Sequence, residues 1–180
     1  MEIKIFSIFV KQILKKKIME MNWIAILVAA STTLIIGFIW YSEKVFGKIW
    51  MREAGLNKET LENGNMLKIF GLTFLFSLML SIIVSALVVH QFGALGMIGG
   101  PDKVHEAKPS FAVFMQDYGM AFRTFKHGAL HGFGTGLFFA FPLIAINGLF
   151  ERRSWKYIFI HAGYWTVSLT IMGAIICGWI

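Results

Sequence analysis

The chain has 180 residues and a net charge of +7, with 57% hydrophobic residues and only 15% charged ones. An ordinary soluble domain carries about a quarter charged residues, so this composition excludes a soluble fold and points to a bilayer. Nucleic acid is not an expected partner, because the 17 Lys and Arg lie almost wholly between apolar runs, where membrane anchoring and lipid contacts account for them.

Residues 1–20 have the pattern of an amphipathic helix. Ile3, Phe6, Val10, Ile13 and Leu14 share one face, and Lys4, Lys11 and Lys15 share another, as in a helix lying among headgroups. The lysines follow the apolar part and no small-residue cleavage site is present, which argues against a signal peptide. The alternative is that Met21 begins the working chain, since Met21-Asn22-Trp23 leads straight into an apolar run.

Four uncharged apolar stretches follow, and about 20 helical residues cross the hydrocarbon layer. The first runs over about 23–41, with Trp23 and Trp40-Tyr41 where an aromatic belt belongs. In the loop after it, Val45, Phe46, Ile49 and Trp50 predict a short interfacial helix ending near Gly55. Asn57 predicts a further cap, and Asn63-Gly64-Asn65 a turn. The second span covers about 67–89 and closes on His90. The glycine-rich and proline-rich segment 92–110 reads as an exposed loop. Ser110 is then a candidate cap for a helix that runs on without a break into the third span, about 128–146. Pro142 predicts a kink there, and Asn147-Gly148 its end. The turn at Glu151-Arg152-Arg153 is short enough only for a tight helical hairpin into the fourth span, about 157–179. The single cysteine, Cys177, lies in that last run, so no intrachain disulfide can form. The fold class is therefore all-α: a compact four-transmembrane-helix bundle forming one domain over 21–180, preceded by the amphipathic segment.

Small residues recur every fourth position on each span. Ala25, Ala29, Thr33 and Gly37 do so on the first and Thr73, Ser77, Ser81 and Ser85 on the second. Gly128, Gly132 and Gly136 follow on the third, then Thr166, Thr170, Ala174 and Gly178 on the fourth. Helices in lipid associate through close backbone packing and interhelical hydrogen bonds, so these stripes are expected to face inward. Beside the glycine ridge, Arg123, His127, His131 and Thr135 form a polar ridge.

The N-terminus, the second loop and the C-terminus share one membrane side, side A; the first and third loops share side B. Lys and Arg divide nine to eight between them, or four to eight if the chain begins at Met21, so the positive-inside rule orients only the shorter chain, with side B cytoplasmic.

Several separated motifs occur together. They are Asn22-Trp23-Ile24-Ala25, Trp40-Tyr41-Ser42, Phe46-Gly47-Lys48 with Trp50-Met51-Arg52-Glu53-Ala54-Gly55, Leu149-Phe150-Glu151-Arg152-Arg153-Ser154-Trp155, and Gly163-Tyr164-Trp165. On these the chain, over about residues 21–180, resembles the bacterial membrane family catalogued as domain of unknown function 1761. The resemblance implies four spans, a shared core that starts near Met21, and a bacterial inner-membrane location. Glu43 stands where that family usually has proline after Trp-Tyr-Ser. The family carries no activity over to this chain.

Two constellations go beyond packing. His127 and His131, at i and i+4 on side A, can take one metal ion with His90 or His105 as a third ligand and Asp102, Glu106 and Asp117 on the same side. His161 lies near side B, too far along the membrane normal to join them. The face of Arg123, His127 and His131 can alternatively line a path for a small solute or proton, although no span contains Asp or Glu. No phosphate loop, dinucleotide fingerprint or nucleophile paired with histidine is present, so an enzyme is not expected. The leading expectation is a structural or interaction-type bundle with no cofactor. Its expected partner is the lipid bilayer, with a homo-oligomer as an option, and the sequence names no small-molecule ligand.

Overall fold

The structure is a computed structural model that describes residues 21–180. The amphipathic helix expected over residues 1–20 lies outside the described residues. Among the described residues all regular elements are helical, and four helical segments are long and apolar enough to cross a membrane.

Helix α1 (Trp23–Trp40) is capped by Asn22, whose side chain accepts from the Ala25 amide at 2.9 Å. The interfacial helix α2 (Gly47–Ala54) stops at Gly55, whose φ of 70° is the left-handed conformation that ends helices. A single turn, α3 (Lys58–Glu62), is capped by Asn57, and α4 (Met66–Val88) by Asn65. Asn63 and Gly64 fill the turn between these two helices. At Val89 the backbone becomes extended, and α5 (His90–Met97) begins at once.

Segment 92–110 differs from the exposed loop expected of it. Gly93 and Gly96 sit inside α5, and Gln91 is buried. The Gln91 amide donates to the Tyr118 and Ala121 carbonyls at 3.0 Å each, which ties α5 to the chain beyond it. The irregular part shrinks to a 3₁₀ turn, Pro101–Lys103, flanked by Gly99 and Gly100 at positive φ.

The uninterrupted helix expected from Ser110 is also corrected. Helix α6 (Pro109–Tyr118) takes Pro109 at its first position, where a missing amide costs nothing, so Lys108 is the cap. The chain then breaks at Gly119–Thr124, with Phe122 left-handed at φ 62°. Thr124 caps a new helix by accepting from the His127 amide at 3.1 Å. The third span is consequently composite: α7 (Phe125–Thr135), a π-turn over Gly136–Ala140, and α8 (Phe141–Phe150). Pro142 has no amide to donate to Phe138 and its ring crowds that carbonyl. The π-turn just before it widens the helix and absorbs this defect. Asn147-Gly148 does not end the span. The helix runs on to Phe150, and Gly148 lets Ile158 approach to where a Cβ would stand 2.7 Å from its Cγ1.

Helix α9 (Trp155–Gly178) is the hub, packed against α1, α4, α7 and α8. The glycine ridge of α7 lies directly on its backbone. A Cβ on Gly132 would collide with the Leu169 carbonyl oxygen, one on Gly128 with that of Gly173, and one on Gly136 would sit 2.5 Å from Thr166 Cα. Contact of this kind is how helices associate where lipid tails are as apolar as leucine. The facing stripe is shifted from the expected one: Leu169 and Gly173 join Thr166 and Thr170 in contact, while Ala174 is half-buried. Ala25, Ala29 and Thr33 of α1 and Ser77, Ser81 and Ser85 of α4 are all buried, and a Cβ on Gly37 would stand 3.6 Å from the Tyr164 ring. Thr33 and Ser77 share a hydrogen bond of 2.7 Å across the α1–α4 interface, worth about 0.6 kcal/mol in such a setting. Large apolar side chains such as Phe38, Leu67 and Phe150 point outward, as a lipid-facing surface requires.

Trp40 and Tyr41, at the end of α1, are half-buried and make contacts with α9. The Trp40 indole donates to the Ile160 carbonyl at 3.0 Å, and its ring fills the space above Gly163.

Candidate functional site

Three of the five histidines meet at the side A end of the bundle. The break at Val89 aims His90 back toward α7, where Thr124 has fixed the first turn so that His127 and His131 stack one turn apart. His90 Nε2 and His127 Nε2 are 2.8 Å apart, and one ligand atom from each of the three rings lies within 4.8 Å of the others. The ring centroids form a triangle: 5.0 Å between His90 and His127, 4.9 Å between His90 and His131, and 4.5 Å between His127 and His131. Among the described residues this is the group of histidine, cysteine or acidic side chains close enough to hold an ion.

The surrounding chain clamps this geometry. Phe122 stacks on His127 with centroids 4.9 Å apart, from a backbone conformation that phenylalanine rarely adopts. Cys177 explains how that turn is held. Its buried thiol faces both the Val88 and the Phe122 carbonyls at 3.3 Å, the two chain segments that carry His90 and His127. Nothing in the sequence pattern singled out this thiol beyond its place in an apolar run.

Arg123 leaves the polar ridge. With helix α7 starting only at Phe125, its side chain swings to α9, and its Nε donates to the Cys177 carbonyl at 3.0 Å. Burial pushes the Arg123 guanidinium below its ordinary value. Thr135 stays on the ridge but turns its hydroxyl back to the His131 carbonyl at 2.8 Å. His105 is elsewhere, 3.3 Å from Glu106, which also takes Lys103 at 2.8 Å.

Two hollows flank the cluster. A cleft of about 270 Å³ between α5 and α6 is lined by His90, Gln91, Phe114, Tyr118 and Phe122. A larger groove of about 790 Å³ separates α4 from α7 and α8, and His131 and Thr135 stand in its wall among residues such as Leu87, Leu130, Phe138 and Leu143. The path inward from His131 is thus apolar and opens sideways between helices.

At the side B end, His161 is placed quite differently. Its Nδ1 meets the Tyr41 hydroxyl at 2.9 Å, and Tyr157 and Tyr164 complete an aromatic wall around that pair.

These features define a multi-pass membrane protein with a three-histidine cluster at one end of a glycine-packed bundle. The chain belongs to the family described as "Protein of unknown function (DUF1761)", which matches residues 24–177. Neither a curated protein nor a solved structure matches it.

Proposed function

We propose that this membrane protein binds one divalent transition-metal ion, zinc being the type case, through His90, His127 and His131. The observation that carries this reading is the convergence of three imidazoles whose ligand atoms lie within 4.8 Å of one another, with no other described side chain in the group. A tetrahedral ion with Zn–N bonds of about 2.0–2.1 Å spaces its ligand nitrogens roughly 3.4 Å apart. The contact of 2.8 Å between His90 and His127 therefore opens slightly, and the wider pairs close by ring rotation. Three protein ligands leave a fourth position for water or another molecule, the pattern of a reactive or transport-linked site rather than a closed structural one.

The transport reading has less support. Arg123 is withdrawn to the Cys177 carbonyl, and the hollow beside His131 is an apolar lateral groove rather than a polar path across the bundle. The structural-bundle reading describes how the site is held, since the glycine ridge of α7 presses the histidine-bearing helix onto α9. An all-helical bundle suits an inner rather than an outer bacterial membrane, where barrels prevail, and the family resemblance supports that placement.

Cobalt titration of the purified full chain tests the proposal. Stoichiometric uptake with the visible absorption of a tetrahedral site is expected, abolished in His127→Ala and His131→Ala. Protein that takes up no stoichiometric ion, or whose uptake survives both substitutions, overturns it.

A further inference from the structure

The geometry points to a ligand class for this site: a single-chain amphiphile, a long-chain carboxylate, whose headgroup takes the open metal position while its tail lies in the groove between α4 and α7–α8. The inference rests on the metal reading above and adds to it what the ion is for. Two observations carry it.

The first is continuity. His131 belongs both to the triad and to the wall of the groove of about 790 Å³, so a molecule lying in the groove ends at the ion. That volume falls within the roughly 300–1,000 Å³ typical of small-molecule sites. Apart from His131, Thr135 and Trp165 the lining is aliphatic, aromatic or glycine, which suits a hydrocarbon tail and no polar solute. The groove lies along membrane-spanning helices, so an amphiphile already in the bilayer reaches it by lateral movement.

The second is charge. Three neutral imidazoles leave both charges of a divalent ion uncompensated at the edge of the low-dielectric layer, where an unpaired charge is costly. No described carboxylate joins the group: Glu106 is taken by Lys103 and His105. A ligand can supply that anion, and a carboxylate is a small anionic headgroup that binds such an ion directly.

The test uses the full chain in phosphatidylcholine nanodiscs, zinc-loaded or chelator-treated, with nitroxide-labelled stearic acid as the probe and zinc content measured on every sample. Zinc-loaded protein is expected to hold a motionally restricted fraction of the label, which unlabelled stearic acid displaces and its methyl ester does not. Chelation should release that fraction. Gly134→Phe should lose it while keeping zinc, because a Cβ at Gly134 meets nothing within 4 Å and the added ring can project into the groove without disturbing the fold. Leu143→Trp is a second groove-filling variant, and retained zinc certifies that either one is folded. If zinc is retained but the label is not held, the inference falls and the metal reading stands. It falls equally if the methyl ester competes as well as the acid, if chelation changes nothing, if phosphatidic acid displaces the label better than stearic acid, or if both zinc-retaining variants bind as the parent does. A parent that holds no zinc removes the metal reading, and this inference with it.

Discussion

The two ends of the bundle both contain histidine, and they use it differently. At side B, His161 has a partner of another kind, the Tyr41 hydroxyl at 2.9 Å, inside a wall of aromatic rings. That histidine is placed by packing: its Nδ1 has the phenol as partner, while its Nε2 is buried with no hydrogen-bond partner among the described residues. At side A, the nearest nitrogen to His90 belongs to His127, and His131 completes the group. Two imidazole nitrogens 2.8 Å apart hold together only if a proton, or an ion, lies between them. A half-buried histidine is thus unremarkable when its neighbour is a phenol. It calls for chemistry when its neighbours are other histidines. The supports differ in the same way. The side B pair hangs on tryptophan and tyrosine anchors, whereas the side A triad is held by contacts with no spare volume, Gly128 on Gly173 and the Cys177 thiol between two carbonyls.

The largest effect is expected where the support is backbone against backbone. Gly132→Leu drives a side chain into the Leu169 carbonyl and should abolish the folded, monodisperse protein in size-exclusion chromatography. Gly134→Leu, two residues on and facing open space, should elute like the parent. Equal behaviour of the two would show that α7 does not sit on α9 as described.

Exchanging the two histidine environments sharpens the contrast further. His161→Ala strands the Tyr41 hydroxyl and should cost about 1–3 kcal/mol in thermal or denaturant stability, with metal uptake unchanged. His131→Ala should cost little stability and eliminate metal uptake. The reverse pattern would assign packing to side A and chemistry to side B. Cys177→Ala comes next: with its thiol gone from the Val88 and Phe122 carbonyls, metal affinity should fall about tenfold, the effect of losing an outer support, and Cys177→Ser should restore most of it.

The smallest effect belongs to the side B surface. The Ser154 hydroxyl, at 2.6 Å, and then Arg52 hold the Glu53 carboxyl below its ordinary value of 4.5. A depressed carboxyl stabilises the fold fully above that ordinary value, and the contribution disappears as pH falls through the lowered one. Melting curves of the parent should therefore decline slightly more steeply than those of Glu53→Gln as pH drops below about 4.5. Parallel curves would mean that the tie between α2 and the start of α9 adds nothing.

Much of this architecture is legible in the residues themselves. Asn57, Asn65 and Gly55 mark their helix ends because their side chains, or the lack of one, do something the backbone needs. The glycine ridge announces a close helix contact for the same reason, and the i, i+4 spacing places His127 beside His131. Other features depend on tertiary context. Gly173 was hidden because its role exists only opposite Gly128. Arg123 belongs to the ridge only if the helix begins before it, and the left-handed turn at Phe122 moves that start to Phe125. The π-turn ahead of Pro142 accommodates its missing hydrogen bond, and no residue pattern announces a widened turn there. His90, one of the two third-ligand candidates, reaches the cluster through the break at Val89, for which no proline or glycine gives a signal.

The central claim is that the three side A imidazoles are ligands to one ion. X-ray absorption spectroscopy of the zinc-loaded full chain tests it most directly. Three imidazole nitrogens at about 2.0–2.1 Å with one further light atom are expected, falling to two imidazoles or to no bound zinc in His90→Ala. A zinc shell without imidazole scattering, or one unchanged by that substitution, would contradict it.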